Sequence, residues 1–243
     1  MISKSFKKPS KLLYQTEGVR SYLELGHYLH WYHLLSLSQV DLKESASVIV
    51  IPGFLSDDSS TAVLRSVLAL KGANVHGWES GVNLGFRTPL FDSVAEHLRE
   101  LSQKNNQKVV LIGQSLGGVF AKELAKLFPE LVEKVISLGS PLMDLSGSSS
   151  NISDLYHMMN PDKPDSETPL IEKQFKEHFL EVPEMQMTSI YSKFDGIIHW
   201  QASLLPKKNN CQNIEVLGSH CAMAYNPVVI NLVLNLLADA PRA

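Results

Sequence analysis

Six short apolar runs, separated by segments whose hydrophobic residues recur at helical spacing, leave few folds open to this chain of 243 residues. SVIVIPG (47–53) is continuously apolar and stops at Pro-Gly, as a strand buried on both faces does. KVVLIGQ (108–114), KVISLGSP (134–141), TSIYSKFD (188–195) and NIEVLGSH (213–220) follow as strands, with ANVHGW (73–78) a weaker member. Between them, Phe91, Val94, Leu98 and Leu101 recur at spacings of 3, 4 and 3 behind Thr88-Pro89, an N-cap followed by a proline suited to the first helical position. Val119, Phe120, Leu124 and Leu127 line a helix that stops at Pro129, and a helix from about Ser59 closes at Gly72. Asn226-Pro227 repeats the capping device ahead of Val229, Val233, Leu236 and Leu237. Alternating strands and helices joined by right-handed crossovers predict an α/β fold, a doubly wound, mostly parallel sheet of about six strands.

Two segments stand outside the alternation. Residues 1–45 form a lead-in whose aromatic-rich part, with Tyr22, Tyr28, Trp31 and Tyr32, reads as a helix packed on the core. Residues 143–186 separate two strands by far more than a βα connection requires, and contain a helical pattern in Ile171, Phe175 and Phe179. The expected organisation is a core of residues 46–142 and 187–243 with 143–186 inserted as a helical lid.

Composition narrows the function. With 44 % apolar and 19 % charged residues the chain is an ordinary globular sequence, and a formal net charge of −3 offers nothing to nucleic acid. The two cysteines, Cys211 and Cys221, form no disulfide framework, and no group of His, Cys, Asp and Glu shows metal-ligand spacing, so neither a cofactor nor a metal is expected. No apolar run is long enough to span a membrane, and the basic start MISKSFKKPSKLL lacks the apolar stretch of a signal peptide, which points to a cytoplasmic protein. Lys4, Lys7, Lys8 and Lys11 ahead of the aromatics suit weak contact with an anionic membrane as well as a helix packed on the sheet. Nothing in the sequence speaks to oligomeric state.

Gly113-Gln114-Ser115-Leu116-Gly117 matches G-x-S-x-G. The pattern alone is weak, and an ordinary Gly-rich turn is its bland alternative. Its setting between the strand KVVLIG and the helix LGGVFAKELAKLF is what a nucleophile elbow requires. A serine hydroxyl needs a base oriented by an acid. Asp195 and His220 close the last two strands, at the sheet edge where open α/β folds bind ligands, and the order Ser115, Asp195, His220 suits that use. Asp144, after the preceding strand, is the rival acid, while Asp57 and Asp58 read as helix caps. His27, His30, His33, His97 and His178 follow no core strand; His76 and His199 read as neighbours of the cleft. An oxyanion hole then needs two backbone amides, Leu116 after the nucleophile and Phe54 in the loop after the first strand, a loop that also reads as a plain turn. Leu155, Tyr156, Met158, Met159, Phe175 and Phe179 of the insertion offer an apolar lining for an acyl chain and equally serve to pack the insertion down.

IPGFLSDDSS, GANVHGWESGVNLG, LIGQSLGG, YSKFDGIIHW and GSHCAM together resemble the α/β-hydrolase superfamily, in its bacterial lipase- and esterase-like branch, over about residues 46–238. The resemblance implies Ser115 as nucleophile, Asp195 as acid, His220 as base and Phe54 and Leu116 as oxyanion donors. It departs at Gln114, where many lipases carry His, and at Pro52-Gly53, where many carry His-Gly. The first two strands of larger members have no counterpart, so a trimmed sheet is expected. The implied activity is hydrolysis of a small or lipid-like carboxylic ester through an acyl-enzyme. Thioester cleavage, acyl transfer and a silent hydrolase fold used for binding are the alternatives.

Overall fold

Side chains of successive strand residues point to opposite faces, so a strand apolar throughout must be covered twice. The computed structural model describes residues 6–37, 40–42, 47–144, 146–161 and 176–238. Among them are the strands β1 (Val48–Ile51), β2 (Val75–His76), β3 (Val109–Gln114), β4 (Val132–Leu138), β5 (Gln186–Tyr191) and β6 (Cys211–Glu215). They form one sheet in the order β2-β1-β3-β4-β5-β6 with every neighbouring pair parallel. The helices are α1 (Lys11–Leu37), α2 (Ala62–Leu70), α3 (Thr88–Asn105), α4 (Leu116–Leu127), α5 (Ser153–Met159) and α6 (Pro227–Ala238). Val48 and Val50 of β1 join Ile112, Ile136 and Ile190 in a core closed by Tyr28 of α1, Leu64 and Leu68 of α2 and Val229 and Val233 of α6. Ile49 and Ile51 turn the other way, to Leu111, Val135, Phe91 and Leu98 of α3 and Phe120 of α4. The sheet is doubly wound as the sequence predicts.

β1 lies beside β3 while β2 sits on the outer side, so the strand order reverses between β1 and β3. That reversal leaves a crevice at their C-terminal ends. The loop carrying Phe54 and the turn carrying Ser115 open from those two ends.

Some local expectations shift. β5 stops at Tyr191 and β6 at Glu215, so Asp195 and His220 stand on loops beyond the strands. Ser192 ends the pairing: its hydroxyl donates to the Gly218 carbonyl (2.7 Å) and accepts from the Phe194 amide (3.0 Å), turning the chain out of the sheet. Thr88 is inside α3, and the cap position falls to extended Arg87, whose guanidinium reaches Asn160 Oδ1 and the Met159 carbonyl across to the insertion. Asn226 does cap α6, its Oδ1 accepting from the Val228 amide at 2.9 Å. Asp57 caps the short turn Asp58–Thr61, but Asp58 instead accepts from the amides of Trp78 and Glu79, tying the β1 loop to the β2 loop.

α1 is inverted relative to an ordinary surface helix. Glu17, Ser21 and Tyr28 are buried against the protein and Glu24 is partly covered, whereas Leu12, Val19, Leu23 and Leu29 face solvent and Tyr22 is 77 % exposed. Within the insertion, the helical residues Ile171 and Phe175 lie outside the described residues, and Phe179 is buried. Lys122 of α4 grips both ends of the insertion, donating from Nζ to the carbonyls of Leu142 (3.0 Å) and Phe179, with its charge 3.9 Å from the Phe179 ring centroid. No helix among the described residues is long and apolar enough to cross a membrane.

Candidate active site

Ser115 sits between β3 and α4 at φ 53° and ψ −122°, a left-handed conformation that costs a non-glycine residue roughly 1–3 kcal/mol. The surroundings enforce it. The Ser115 amide donates to the Leu138 carbonyl at 2.8 Å, holding the turn against β4. A side chain on Gly113 would run into the backbone of Gly117 and Gly118, and one on Gly117 into the Ile51 carbonyl, so the turn is tight because these neighbours have none. Strain kept in place by tertiary contacts is characteristic of functional turns.

His220 and Asp195 are both buried and bonded to each other, His220 Nδ1 to Asp195 Oδ2 at 2.6 Å. The other carboxylate oxygen accepts from the amides of Ile197 (2.8 Å) and Ile198 (2.7 Å), which fixes the carboxylate plane. Burial opposes a charge on His220, yet the Asp195 carboxylate, the hydrogen bond to it and the charge of Glu17 outweigh that and raise the imidazole above its ordinary 6.5. Gly139, at φ 59°, lies beneath the pair, where a Cβ would stand 3.2 Å from Asp195 Oδ2 and 3.3 Å from His220 Nδ1. Gln114 Nε2 donates to the His220 carbonyl at 3.2 Å, linking the residue before the serine to the histidine loop. Asp144 has a different set of partners, Ser146 Oγ (2.6 Å) and the Ser149 amide (2.6 Å), and organises the start of the insertion.

The contribution of α1 was not read from the sequence. Glu17, 3 % exposed, accepts from the amide of Gly196 through Oε2 (2.9 Å) and from the amide of Cys221 through Oε1 (2.9 Å). One carboxylate thus holds the residue after Asp195 and the residue after His220. Arg20 completes the brace, bonding Glu17 Oε2 at 2.8 Å and the Phe194 carbonyl at 2.6 Å. Glu24, one heptad on, accepts from the Ser219 amide at 2.7 Å and from Asn226 Nδ2 at 2.9 Å. Two acids seven apart in a helix otherwise free of them were the signal: that spacing puts both on one face.

Two cavities meet at Ser115. One, of about 110 Å³, is apolar and lined by Phe54, Leu116, Val119, Tyr156, Phe179 and Ile198 among others. The second, of about 270 Å³, is bordered by Ser115, His220, Ser56, Ser60, Cys221 and Tyr225. Of the acyl-lining residues expected from sequence, Tyr156 and Phe179 line the first cavity, the Tyr156 ring 5.1 Å from that of Phe54. Leu155 and Met158 are exposed, Met159 borders neither cavity, and Phe175 lies outside the described residues. The amides of Phe54 and Leu116 donate to no acceptor among the described residues. A larger cavity of about 500 Å³, between Phe86, Lys126, His178 and Glu184, touches none of these groups, and size alone makes no site.

An all-parallel sheet whose order reverses beside a strained strand-to-helix serine, with an acid and a histidine on the loops after β5 and β6, defines the α/β hydrolase class. Residues 76–214, more than half of the chain, match the family model described as alpha/beta hydrolase fold, and the chain belongs to that family. Solved lipases share its fold at low identity. Aspergillus fumigatus lipase B is similar with a TM-score of 0.60 and 15 % identity, over 84 % of this chain and 55 % of that one, so this chain spans about half its length. A structure reported for the metagenome-derived lipolytic enzymes LipS and LipT gives a TM-score of 0.61 and 16 % identity over 79 % of this chain and 94 % of that one. Bacillus licheniformis lipase BlEst2 gives 0.56 and 16 % over 79 % and 92 %. No curated protein matches the chain in sequence.

Proposed function

We propose that this hydrolase-fold chain is a serine esterase that cleaves short-chain carboxylic esters through an acyl-enzyme. The observation that carries the reading is the 2.6 Å Asp195–His220 bond beside a cavity that His220 shares with the strained Ser115. Asp195 holds the proton on Nδ1, which leaves Nε2 of His220 to take the Ser115 proton as Oγ attacks the ester carbonyl. The unpaired amides of Phe54 and Leu116 receive the oxyanion, Leu116 from the first turn of α4. His220 then protonates the leaving alcohol and activates water to release the acid. The 110 Å³ apolar cavity takes the acyl group, and the more polar one the alcohol. That volume is well below the roughly 300–1,000 Å³ of a pocket for a drug-sized ligand, so acetyl to butyryl esters are favoured over long chains.

The outward face of α1 supports a weak peripheral contact with an anionic membrane, because its exposed side is apolar while Glu17 and Glu24 point inward. Co-sedimentation with phosphatidylserine vesicles tests this, and equal recovery of wild type and Leu23→Glu in the pellet argues against it.

The main test combines fluorophosphonate labelling with a p-nitrophenyl ester series. Labelling is expected in the native chain, absent after heat denaturation and absent in Ser115→Ala, with acetate or butyrate esters the fastest. Labelling of Ser115→Ala overturns the assignment, and a palmitate ester as the best substrate overturns the short-chain reading.

A further inference from the structure

His76 ends the edge strand β2, Glu79 follows in the loop, and His97 lies on α3, an element that carries none of the proposed catalytic groups. Sequence spacing gave no hint of a metal site because His97 comes from a separate helix. In three dimensions one donor atom from each residue lies within 4.8 Å of the other two. We propose that His76, Glu79 and His97 form a binding site for a divalent first-row transition cation, zinc above all, which staples the edge strand to α3.

The chemistry of each donor fits. Asn74 donates from Nδ2 to Ser47 Oγ at 2.8 Å, so its Oδ1 is the acceptor that faces His76 Nε2 at 3.0 Å. His76 therefore carries its proton on Nε2 and keeps the lone pair on Nδ1, the orientation that outer hydrogen bonds impose on metal-binding histidines. His97 Nε2 is enclosed and has no hydrogen-bond partner among the described residues. A buried nitrogen left unpaired is costly, and a cation supplies what its lone pair lacks. The two imidazole rings lie 5.7 Å apart at 71°, close enough to share one ion.

The backbone of the exposed Glu79 is held in advance. Its φ is 58°, uncommon for a non-glycine residue, and Asp58 Oδ2 accepts its amide at 3.1 Å while Oδ1 takes that of Trp78 at 3.0 Å. Two imidazoles and one carboxylate are the donors that zinc prefers, whereas magnesium and calcium take oxygen alone. At zinc–ligand distances of about 2.0–2.1 Å tetrahedral donors stand roughly 3.4 Å apart, so modest side-chain rotations close the site, and water completes it. β2 is two residues long and, among the described residues, pairs only with β1, which is where a staple has the most to add.

The test titrates the full chain, stripped with EDTA, with zinc sulfate by calorimetry, and with cobalt(II) by visible absorbance. One equivalent is expected, with a rise in Tm of roughly 5–10 °C at zinc about 100-fold above Kd. His76→Ala and His97→Ala are each expected to weaken binding more than roughly 100-fold, and Asn74→Ala roughly 10-fold. Fluorophosphonate labelling reports that the variants remain folded. Absence of binding at micromolar zinc, or stoichiometric binding that survives the His76→Ala/His97→Ala double variant, overturns the proposal.

Discussion

If α1 braces the histidine and acid loops, replacing Glu17 with glutamine will alter catalysis and stability in a pattern that loss of packing alone would not give. The two amides held by Glu17 go to different oxygens, Cys221 to Oε1 and Gly196 to Oε2, and Arg20 shares Oε2. Glutamine has one carbonyl oxygen, which the Arg20 side keeps. The Cys221 amide then meets an NH₂ group and loses its bond, at about 1.5–3 kcal/mol for a hydrogen bond to a charged acceptor. The Glu17 charge also raises the His220 imidazole, so its removal must lower that group. In wild type the acid limb of kcat/KM is expected above 6.5, because the base works only when neutral. In Glu17→Gln that limb moves to lower pH, kcat falls roughly 10- to 100-fold as the histidine loop loosens, and KM changes little. Urea denaturation and a pH–rate profile on p-nitrophenyl butyrate measure all of these. Glu17→Asp keeps the charge but not the reach: its acid limb stays near wild type while kcat remains low. An unmoved or raised acid limb in Glu17→Gln, together with unchanged stability, refutes the brace.

Ser115→Ala is expected to abolish turnover by several orders of magnitude and to leave Tm nearly unchanged, since alanine keeps the Cβ and the same backbone conformation; near-normal turnover would end the serine reading. Asp195→Asn is expected to lower kcat by roughly 10³–10⁴ with KM near normal, whereas Asp144→Asn, bonded to Ser146 and Ser149, should cost stability and little turnover; the reverse result would exchange the acid. Gly139→Ala forces a left-handed alanine, at about 1–2 kcal/mol, and presses its Cβ on the Asp195–His220 pair, so turnover should fall more than the urea midpoint does. Burial lowers Lys122 from 10.5 to about 8, with Glu123 offsetting part of the effect. The folded chain therefore releases this proton first, and stability gains up to roughly 3 kcal/mol as pH rises from about 8 to 10.5. Lys122→Met should lack that increment, and parallel stability–pH curves for variant and wild type would contradict it.

The periodic segments of the chain carried their own instructions. The run 47–53 could only be a strand covered on both faces, and the cap at Asn226 and the stop at Pro129 depend on residues within a turn of each other. Chain order and strand ends name Ser115, Asp195 and His220 as candidates, because parallel strands deliver their C-terminal loops to one edge. The strand limits were less legible. Ser192 turns the chain through a bond to Gly218 on the neighbouring loop, and nothing near it in sequence says so.

What the sequence by itself determined is the alternation, the doubly wound sheet and the elbow, all properties of short-range spacing and of the rules that join neighbouring elements. Tertiary structure alone decided the rest. It set Glu17 against loops about two hundred residues away, turned the apolar side of α1 outward, divided the space at Ser115 into two cavities and brought His97 to His76. A helix buries whichever face its neighbours can satisfy. Here the neighbours are loop amides that need a carboxylate, so hydrogen-bond demand outweighed the hydrophobic pattern that the helix carries.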